Sequence, residues 1–167
     1  MNYLLIIIGF IILMFALGKN FDYNKFADAL GLSESSNSYT ITNGIAYGRY
    51  QFTPDTIVTV SNLLNENTPS LDNFISNPNM QDTYFKTYVD YLINRINNNS
   101  TVKSQIGNFI IGKTNGITAN INIYGLVAGD WLGGPGGDEN LFINGYDAND
   151  GRTYISDYIA KFSKQFS

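Results

Sequence analysis

The start of the chain constrains its fold most, because it holds an almost unbroken apolar run, Tyr3–Gly18. A helix in a soluble core needs one apolar face, whereas this run is apolar on every face. Its length lies between a signal-peptide core, about 7–15 residues, and a membrane-spanning helix, about 20. Met1-Asn2 brings no Lys or Arg, while Ala16-Leu17-Gly18 fits a small-x-small cleavage site. We therefore favour a retained membrane anchor over 1–20, with a cleaved signal as the alternative, ahead of one domain over 21–167.

The rest of the chain carries helix signals: capping residues, prolines at first helical positions and apolar residues at i, i+4 spacing. Asp22 caps a predicted helix that ends or bends at Gly31. Between Ser35 and Ala46 the polar residues predict a loop or a small hairpin. Further helices are predicted over 54–64, 78–97, 102–111, 119–131 and 154–166, with a turn at 113–116, an irregular stretch at 133–137 and a loop at 147–151. The sequence thus predicts one mostly helical domain.

The composition excludes several classes of function. The chain has no Cys and no His, so a thiol nucleophile, a Ser-His-Asp triad and a His- or Cys-based zinc site are all ruled out. Lys and Arg number 10 against 14 Asp and Glu, the net charge is -4, and no basic stripe predicts a nucleic-acid partner. Catalysis is left to carboxylates, Lys, Tyr, hydroxyls or amides. Only three Glu are available: Glu34, Glu66 and Glu139.

Glu34 is the carboxylate whose neighbourhood is most informative. It follows the first predicted helix and precedes the aromatic segment 48–52. Burial beside aromatic rings raises the pKa of a carboxyl, so that the group can act as a general acid near neutral pH. Taken alone, a Glu at a helix end is more typical of a solvated surface residue. The surrounding motifs favour the catalytic interpretation.

Five segments of the chain, in this order, resemble motifs of lytic transglycosylases. They are Glu34-Ser35-Ser36-Asn37, Gly48-Arg49-Tyr50-Gln51-Phe52-Thr53-Pro54-Asp55-Thr56, Asn79-Met80-Gln81-Asp82 with Phe85, Ala128-Gly129-Asp130-Trp131-Leu132-Gly133-Gly134-Pro135-Gly136, and Ile155-Ser156-Asp157-Tyr158-Ile159. The second segment is similar to the version in phage-associated peptidoglycan-degrading enzymes. Arg49-Tyr50 stands where the family has Leu-Met, and Asp130-Trp131 where it has Tyr-Asn or His-Asn. The ordered set is far more specific than any one segment.

The resemblance implies a mostly α, lysozyme-like α+β fold and cleavage of the β-1,4 bond between MurNAc and GlcNAc in peptidoglycan. Glu34 would be the single acid/base, and the substrate's own C6 hydroxyl would close a 1,6-anhydro-MurNAc end. A hydrolytic muramidase would need a second carboxylate, for which the candidates are Asp55, Asp82 and, foremost, Asp130. A catalytically inactive wall-binding or structural membrane protein is the alternative from another class.

The resemblance also implies roles for other residues. The sugar contacts are assigned to Gln51, Tyr50, Phe52, Trp131 and Tyr158, and structural support to Ser35, Asn37 and Gly48. For Tyr50 and Trp131 a place in the core is the alternative, and Tyr158 belongs either to the site or to the apolar face of its helix. No cofactor is implied. No metal is assigned either, because the acidic cluster over 147–150 lacks the spacing of a calcium loop.

The expected partners follow from these assignments. They are peptidoglycan glycan strands, a lipid membrane bound through Tyr3–Gly18, and other virion or membrane proteins. A virion membrane or a bacterial envelope, with the domain facing the cell wall, is the expected location.

Overall fold

A computed structural model of the protein describes residues 21–167, so the predicted membrane segment Tyr3–Gly18 lies outside the described residues. Within residues 21–167, none of the helices combines the length and the apolar character needed to cross a bilayer. This part of the chain is mostly helical and packs around one apolar core. Its elements are α1 (Tyr23–Ser35), α2 (Pro54–Leu64), α3 (Leu71–Ile75), α4 (Pro78–Asn98), α5 (Ser100–Lys103), β1 (Phe109–Ile111), β2 (Thr118–Asn120), α6 (Ile123–Gly133), α7 (Gly137–Asn144) and α8 (Ile155–Gln165).

Three of the predicted helix starts are confirmed by their caps. The side chain of Asp22 accepts a hydrogen bond from the backbone N–H of Lys25 at the start of α1. Thr53 and Asn77 cap α2 and α4 in the same way, and each of these helices begins with a proline. A capping oxygen satisfies a backbone donor that has no partner inside the helix, which is why these residues fix the starts.

The end of α1 differs from the prediction. The helix continues through Gly31 to Ser35 and stops at Ser36, which adopts a left-handed conformation with φ of 56°. Gly31 serves close packing instead of ending the helix, since a Cβ there would lie 2.4 Å from Oδ1 of Asn37. Glu34 therefore lies in the last turn of α1 and does not follow the helix.

The segment after α4 also corrects the prediction. The helix predicted over 102–111 is limited to the short α5, and β1 follows it. Strand β1 pairs antiparallel with β2, with Ile110 opposite Ala119, across the predicted turn at 113–116. Here β-branched residues and long-range pairing override a helical apolar spacing. The predicted central helix consequently begins at Ile123, where Asn122 caps it.

Two helices were not predicted: α3, and α7, which begins at Gly137 inside the stretch predicted to be irregular. Helix α6 packs along α8 and buries Leu126, Val127 and Ala128. Its glycines permit this approach: a Cβ on Gly125 would lie 2.0 Å from Oγ of Ser163. The close contact of α6 with α8 fixes the position of α8 against the core.

Candidate active site

Glu34 and Tyr158 form the centre of the candidate site. The hydroxyl of Tyr158, on α8, donates a 2.6 Å hydrogen bond to Oε1 of Glu34, on α1. Burial raises the pKa of Glu34, in the direction that the sequence predicted, and the charge of Asp150 raises it further. The hydrogen bond from Tyr158 and the charge of Lys161 lower this pKa, but by less than burial raises it. The geometry therefore holds a carboxyl whose proton is retained to a higher pH than usual.

The ring and the hydroxyl of Tyr158 have different surroundings. Its ring is 8% exposed and packs against Phe162 in the core, while its hydroxyl reaches Glu34. The start of α8 is fixed by the neighbouring Asp157, whose carboxylate accepts from the backbone N–H groups of Thr114 and Asn115. The loop between β1 and β2 thus positions the tyrosine.

Ser33 and Lys161 complete the site, and sequence analysis did not identify them. The ammonium of Lys161 donates a 2.8 Å hydrogen bond to Oγ of Ser33, and this oxygen lies 3.2 Å from the hydroxyl of Tyr158. Burial lowers the pKa of Lys161, and the nearby Glu34 opposes that shift. The available signal was weak: Ser33 adjoins Glu34, and Lys161 lies three residues after Tyr158 on the same face of α8.

Residues 47–52 form a tight bend beside the end of α1, and Gln51 serves the bend itself. Tyr47 and Phe52 exchange two backbone hydrogen bonds, of 2.9 and 3.0 Å. Gln51 adopts φ of 52°, and its side-chain amide donates to the carbonyl of Gly48 at 2.8 Å. No hydrogen bond joins Gln51 to Glu34 within residues 21–167. The small hairpin predicted after Glu34 is reduced to isolated bridges, Thr42 with Tyr47 and Tyr47 with Phe52.

Gly48 lets the bend approach α4 closely. Its φ is +75°, and a Cβ would lie 2.1 Å from Oε1 of Gln81. Gln81 is fully buried; it accepts from the backbone N–H of Arg49 and donates to the carbonyls of Tyr39 and Phe74. One amide on α4 thereby joins the bend to two other segments.

Tyr50 and Phe52 lie in the core, which is the alternative that the sequence left open for Tyr50. Their assignment as sugar contacts is not supported by this placement. Each is 1% exposed. Tyr50 stacks on Phe85 with centroids 4.3 Å apart. Trp131 is half-buried, contacts the rings of Tyr50 and Phe52, and donates its indole N–H to the carbonyl of Tyr50 at 3.1 Å. These aromatics hold the bend against α6 and leave Tyr158 as the aromatic residue in contact with Glu34.

Ser35 and Asn37 tie the end of α1 to the bend. The hydroxyl of Ser35 donates to the carbonyl of Arg49 at 2.7 Å and accepts from the backbone N–H of Ser38 at 3.0 Å. Oδ1 of Asn37 accepts from Nε of Arg49 at 2.9 Å. Both residues therefore hold the end of α1 against the bend.

Within the described residues, none of the three candidate second carboxylates forms a hydrogen bond with Glu34 or shifts its pKa. Asp55 lies in the first turn of α2. Asp82 accepts from the hydroxyls of Tyr39 and Tyr50. Asp130 is 3% exposed, accepts from the backbone N–H of Asp138, and has a pKa raised to about 6 by burial. None of the three contacts Glu34 within the described residues.

The acidic residue that does act on the site is Asp150. Its charge raises the pKa of Glu34 and also that of Tyr158. Asp150 belongs to the loop before α8, where Oδ1 accepts from the backbone N–H groups of Arg152 and Thr153. A carboxylate held in this loop reaches Glu34 electrostatically without a hydrogen bond between them.

No family model matches the chain, and no curated protein or solved structure matches it. Chemically, the arrangement offers one protonatable carboxyl, one phenol that stabilises it and one cation nearby, which suits the transfer of a proton to and from a bound substrate.

Proposed function

We propose that this protein is a peptidoglycan lytic transglycosylase of lysozyme-like fold that cleaves the MurNAc–GlcNAc β-1,4 bond with Glu34 as its acid/base. The observation that carries the proposal is the 2.6 Å hydrogen bond from Tyr158 to a carboxyl whose pKa burial raises. That carboxyl lies in the first of five ordered segments that resemble this family.

Both steps of the reaction need the same carboxyl. In its acid form Glu34 gives its proton to the glycosidic oxygen as the bond from that oxygen to C1 of MurNAc breaks and an oxocarbenium-like centre develops. In its carboxylate form it takes the proton of the C6 hydroxyl, whose oxygen bonds to C1. Glu34 ends protonated, as it began, and no water is consumed. Tyr158 stabilises the carboxylate between the two steps, because a hydrogen bond to an ionised acceptor is about twice as strong as a neutral one.

Hydrolysis of the same bond is the second candidate, and Asp150 is the observation in its favour. A hydrolase uses a pair of carboxyl groups, and the charge of Asp150 acts on both Glu34 and Tyr158. In that case Asp150 would act as the base that activates water, or would support the cationic transition state.

The proposed setting is a membrane-anchored enzyme of a virion or a bacterial envelope, which binds glycan strands and opens the wall locally. Its support is the apolar run Tyr3–Gly18 together with the phage-like form of residues 48–54. The net charge of -4 gives no electrostatic attraction to an acidic polymer. Substrate affinity is therefore assigned to hydrogen bonds and apolar contacts.

The test is digestion of purified peptidoglycan by the full chain in neutral detergent, with the Glu34→Gln and Glu66→Gln variants in parallel. Muropeptides are then analysed by mass, since an anhydro end is one water lighter than a reducing end. We expect anhydro products from the wild type and from Glu66→Gln, and none from Glu34→Gln. Reducing ends would identify a muramidase and direct mutagenesis to Asp150. Glycan binding without cleavage by the folded wild type would refute both enzymes and favour a wall-binding protein.

A further inference from the structure

Four polar groups form a continuous chain that ends at the candidate acid. The ammonium of Lys161 donates to Oγ of Ser33 at 2.8 Å, this oxygen lies 3.2 Å from the hydroxyl of Tyr158, and that hydroxyl donates to Glu34 at 2.6 Å. Two of the residues lie on α1 and two on α8. This hydrogen-bond chain therefore links α1 to α8.

The direction of every hydrogen bond in this chain can be assigned. An ammonium is only a donor, so Ser33 accepts from Lys161. Tyr158 has one proton and gives it to Glu34, which leaves Ser33 as the donor to Tyr158. The reverse direction would leave the Ser33 hydroxyl proton without an acceptor among residues 21–167. All donors in the chain thus point toward the carboxyl.

The two oxygens of Glu34 are made unequal by this direction. Oε1 accepts from Tyr158 and cannot carry the acid's proton without a clash of two hydrogens. Oε2 accepts no hydrogen bond from residues 21–167, and Glu34 is only partly buried. The proton of the neutral acid accordingly resides on Oε2, the oxygen without a donor among the described residues.

We propose that Lys161, acting through Ser33 and Tyr158, is a positioning residue that directs the hydrogen-bond chain at Oε1 of Glu34 and so reserves Oε2 for proton delivery. This inference rests on the proposed function. The cation also has packing to hold it in place, since Nζ lies 5.7 Å from the ring centroid of Tyr158 and 5.2 Å from that of Phe162. A cation over an aromatic face is attracted by the partial negative charge of that face, which belongs to the quadrupole of the neutral ring.

The charged and titratable groups that face Glu34 are Tyr158 and Lys161 from α8 and Asp150 from the preceding loop. Removing the cation at 161 removes a charge that favours the carboxylate. The titration midpoint of Glu34 then moves to higher pH, and the basic limb of the activity profile moves with it. Without this cation, glycan cleavage at the optimal pH should fall about tenfold. This loss is smaller than the roughly 10²–10⁴-fold that a positioned acid/base contributes, because Glu34 itself remains.

The first experiment follows the carboxyl directly. The full chain is labelled with ¹³C at the glutamate carboxyl, which gives three signals because the chain has three Glu, and Glu34→Gln assigns the relevant one. Lys161→Met keeps most of the aliphatic stem and removes the charge. Lys164→Met, an exposed lysine on the same helix, is the matched control. We expect an upward shift of the Glu34 midpoint in Lys161→Met and no shift in Lys164→Met.

A Glu34 midpoint that is the same in folded Lys161→Met and in the wild type would overturn the proposal. If Lys161→Met does not fold, Ser33→Ala interrupts the hydrogen-bond chain by removing one hydroxyl. We then expect a smaller upward shift of the Glu34 titration midpoint. The pH profile of glycan cleavage is then measured on the same variants. A wild type that cleaves no glycan would refute the proposed function alone, because the carboxyl titration still decides whether the chain from Lys161 acts on Glu34.

Discussion

The buried pair Asp130 and Asp138 predicts that the folded protein loses stability as the pH rises. Asp138 is 1% exposed, and neither of its carboxyl oxygens has a hydrogen-bond partner in the described part of the chain. Burial, together with the charge of Asp130, raises its pKa well above the usual 3.8. The perturbation that tests this is Asp138→Asn, which keeps the size of the side chain and removes its ionisation.

The sign and size follow from proton linkage. Because the folded-state pKa of Asp138 is raised, its contribution to stability is present in full below 3.8 and is lost as the pH rises toward the folded-state value. Each pH unit in that window costs about 1.4 kcal/mol. The wild type should therefore lose about 1.4 kcal/mol for each pH unit of that window, and Asp138→Asn should not show this loss.

The assay is urea unfolding of the full-length protein, followed by the fluorescence of Trp131, the only Trp of the chain. Asp157, whose pKa is lowered by hydrogen bonds from Thr114 and from nearby backbone N–H groups, changes stability in the opposite direction. This contribution is the same in both proteins and cancels in the difference. Asp72→Asn, at an exposed position, is the control. A pH gradient of the unfolding free energy that is the same in Asp138→Asn and in the wild type would refute the reasoning.

Two further predictions concern the bend and the phenol. Gly48→Ala places a Cβ on a residue in the left-handed conformation and crowds Gln81, so the free energy of unfolding, measured in urea, should fall by about 1–3 kcal/mol. The control is Gly44→Ala, which has a similar φ but faces open space. An unchanged unfolding midpoint in Gly48→Ala would contradict the contact with Gln81. Tyr158→Phe removes a hydrogen bond that lowers the pKa of Glu34. The titration midpoint of Glu34, followed by its ¹³C signal, should therefore move to higher pH, and glycan cleavage should fall. A midpoint that does not move would contradict the hydrogen bond from Tyr158 to Glu34.

The helix starts could be predicted from the sequence because capping is local. Asp22, Thr53 and Asn77 each satisfy a backbone donor three residues away, and the prolines that follow two of them restrict the chain further. The strands after α5 could not be predicted in this way. Pairing of Ile110 with Ala119 depends on residues beyond the local window, and the apolar spacing of 102–111 is compatible with a helix.

The candidate site was predictable only in part, for a similar reason. Motif order pointed to Glu34 and Tyr158, which the structure brings together. Whether an aromatic ring faces a ligand or the core is a tertiary property, and Tyr50 and Phe52 face the core. The position of Lys161 in the site could not be predicted, because a lysine on an amphipathic helix is usually solvated. Its pairing with Ser33 across two helices leaves no pattern in the sequence.

The distance along the chain between Glu34 and Tyr158 has a consequence for biosynthesis. The two residues are 124 positions apart, and the tyrosine comes from the last helix that the structure describes. During translation the carboxyl emerges early, but its phenol partner and the lysine on α8 do not exist until nearly all of the domain has been made. A nascent or interrupted chain therefore has the acid without the groups that orient it. If the protein cuts the cell wall as proposed, the order of synthesis itself delays activity until the domain is complete.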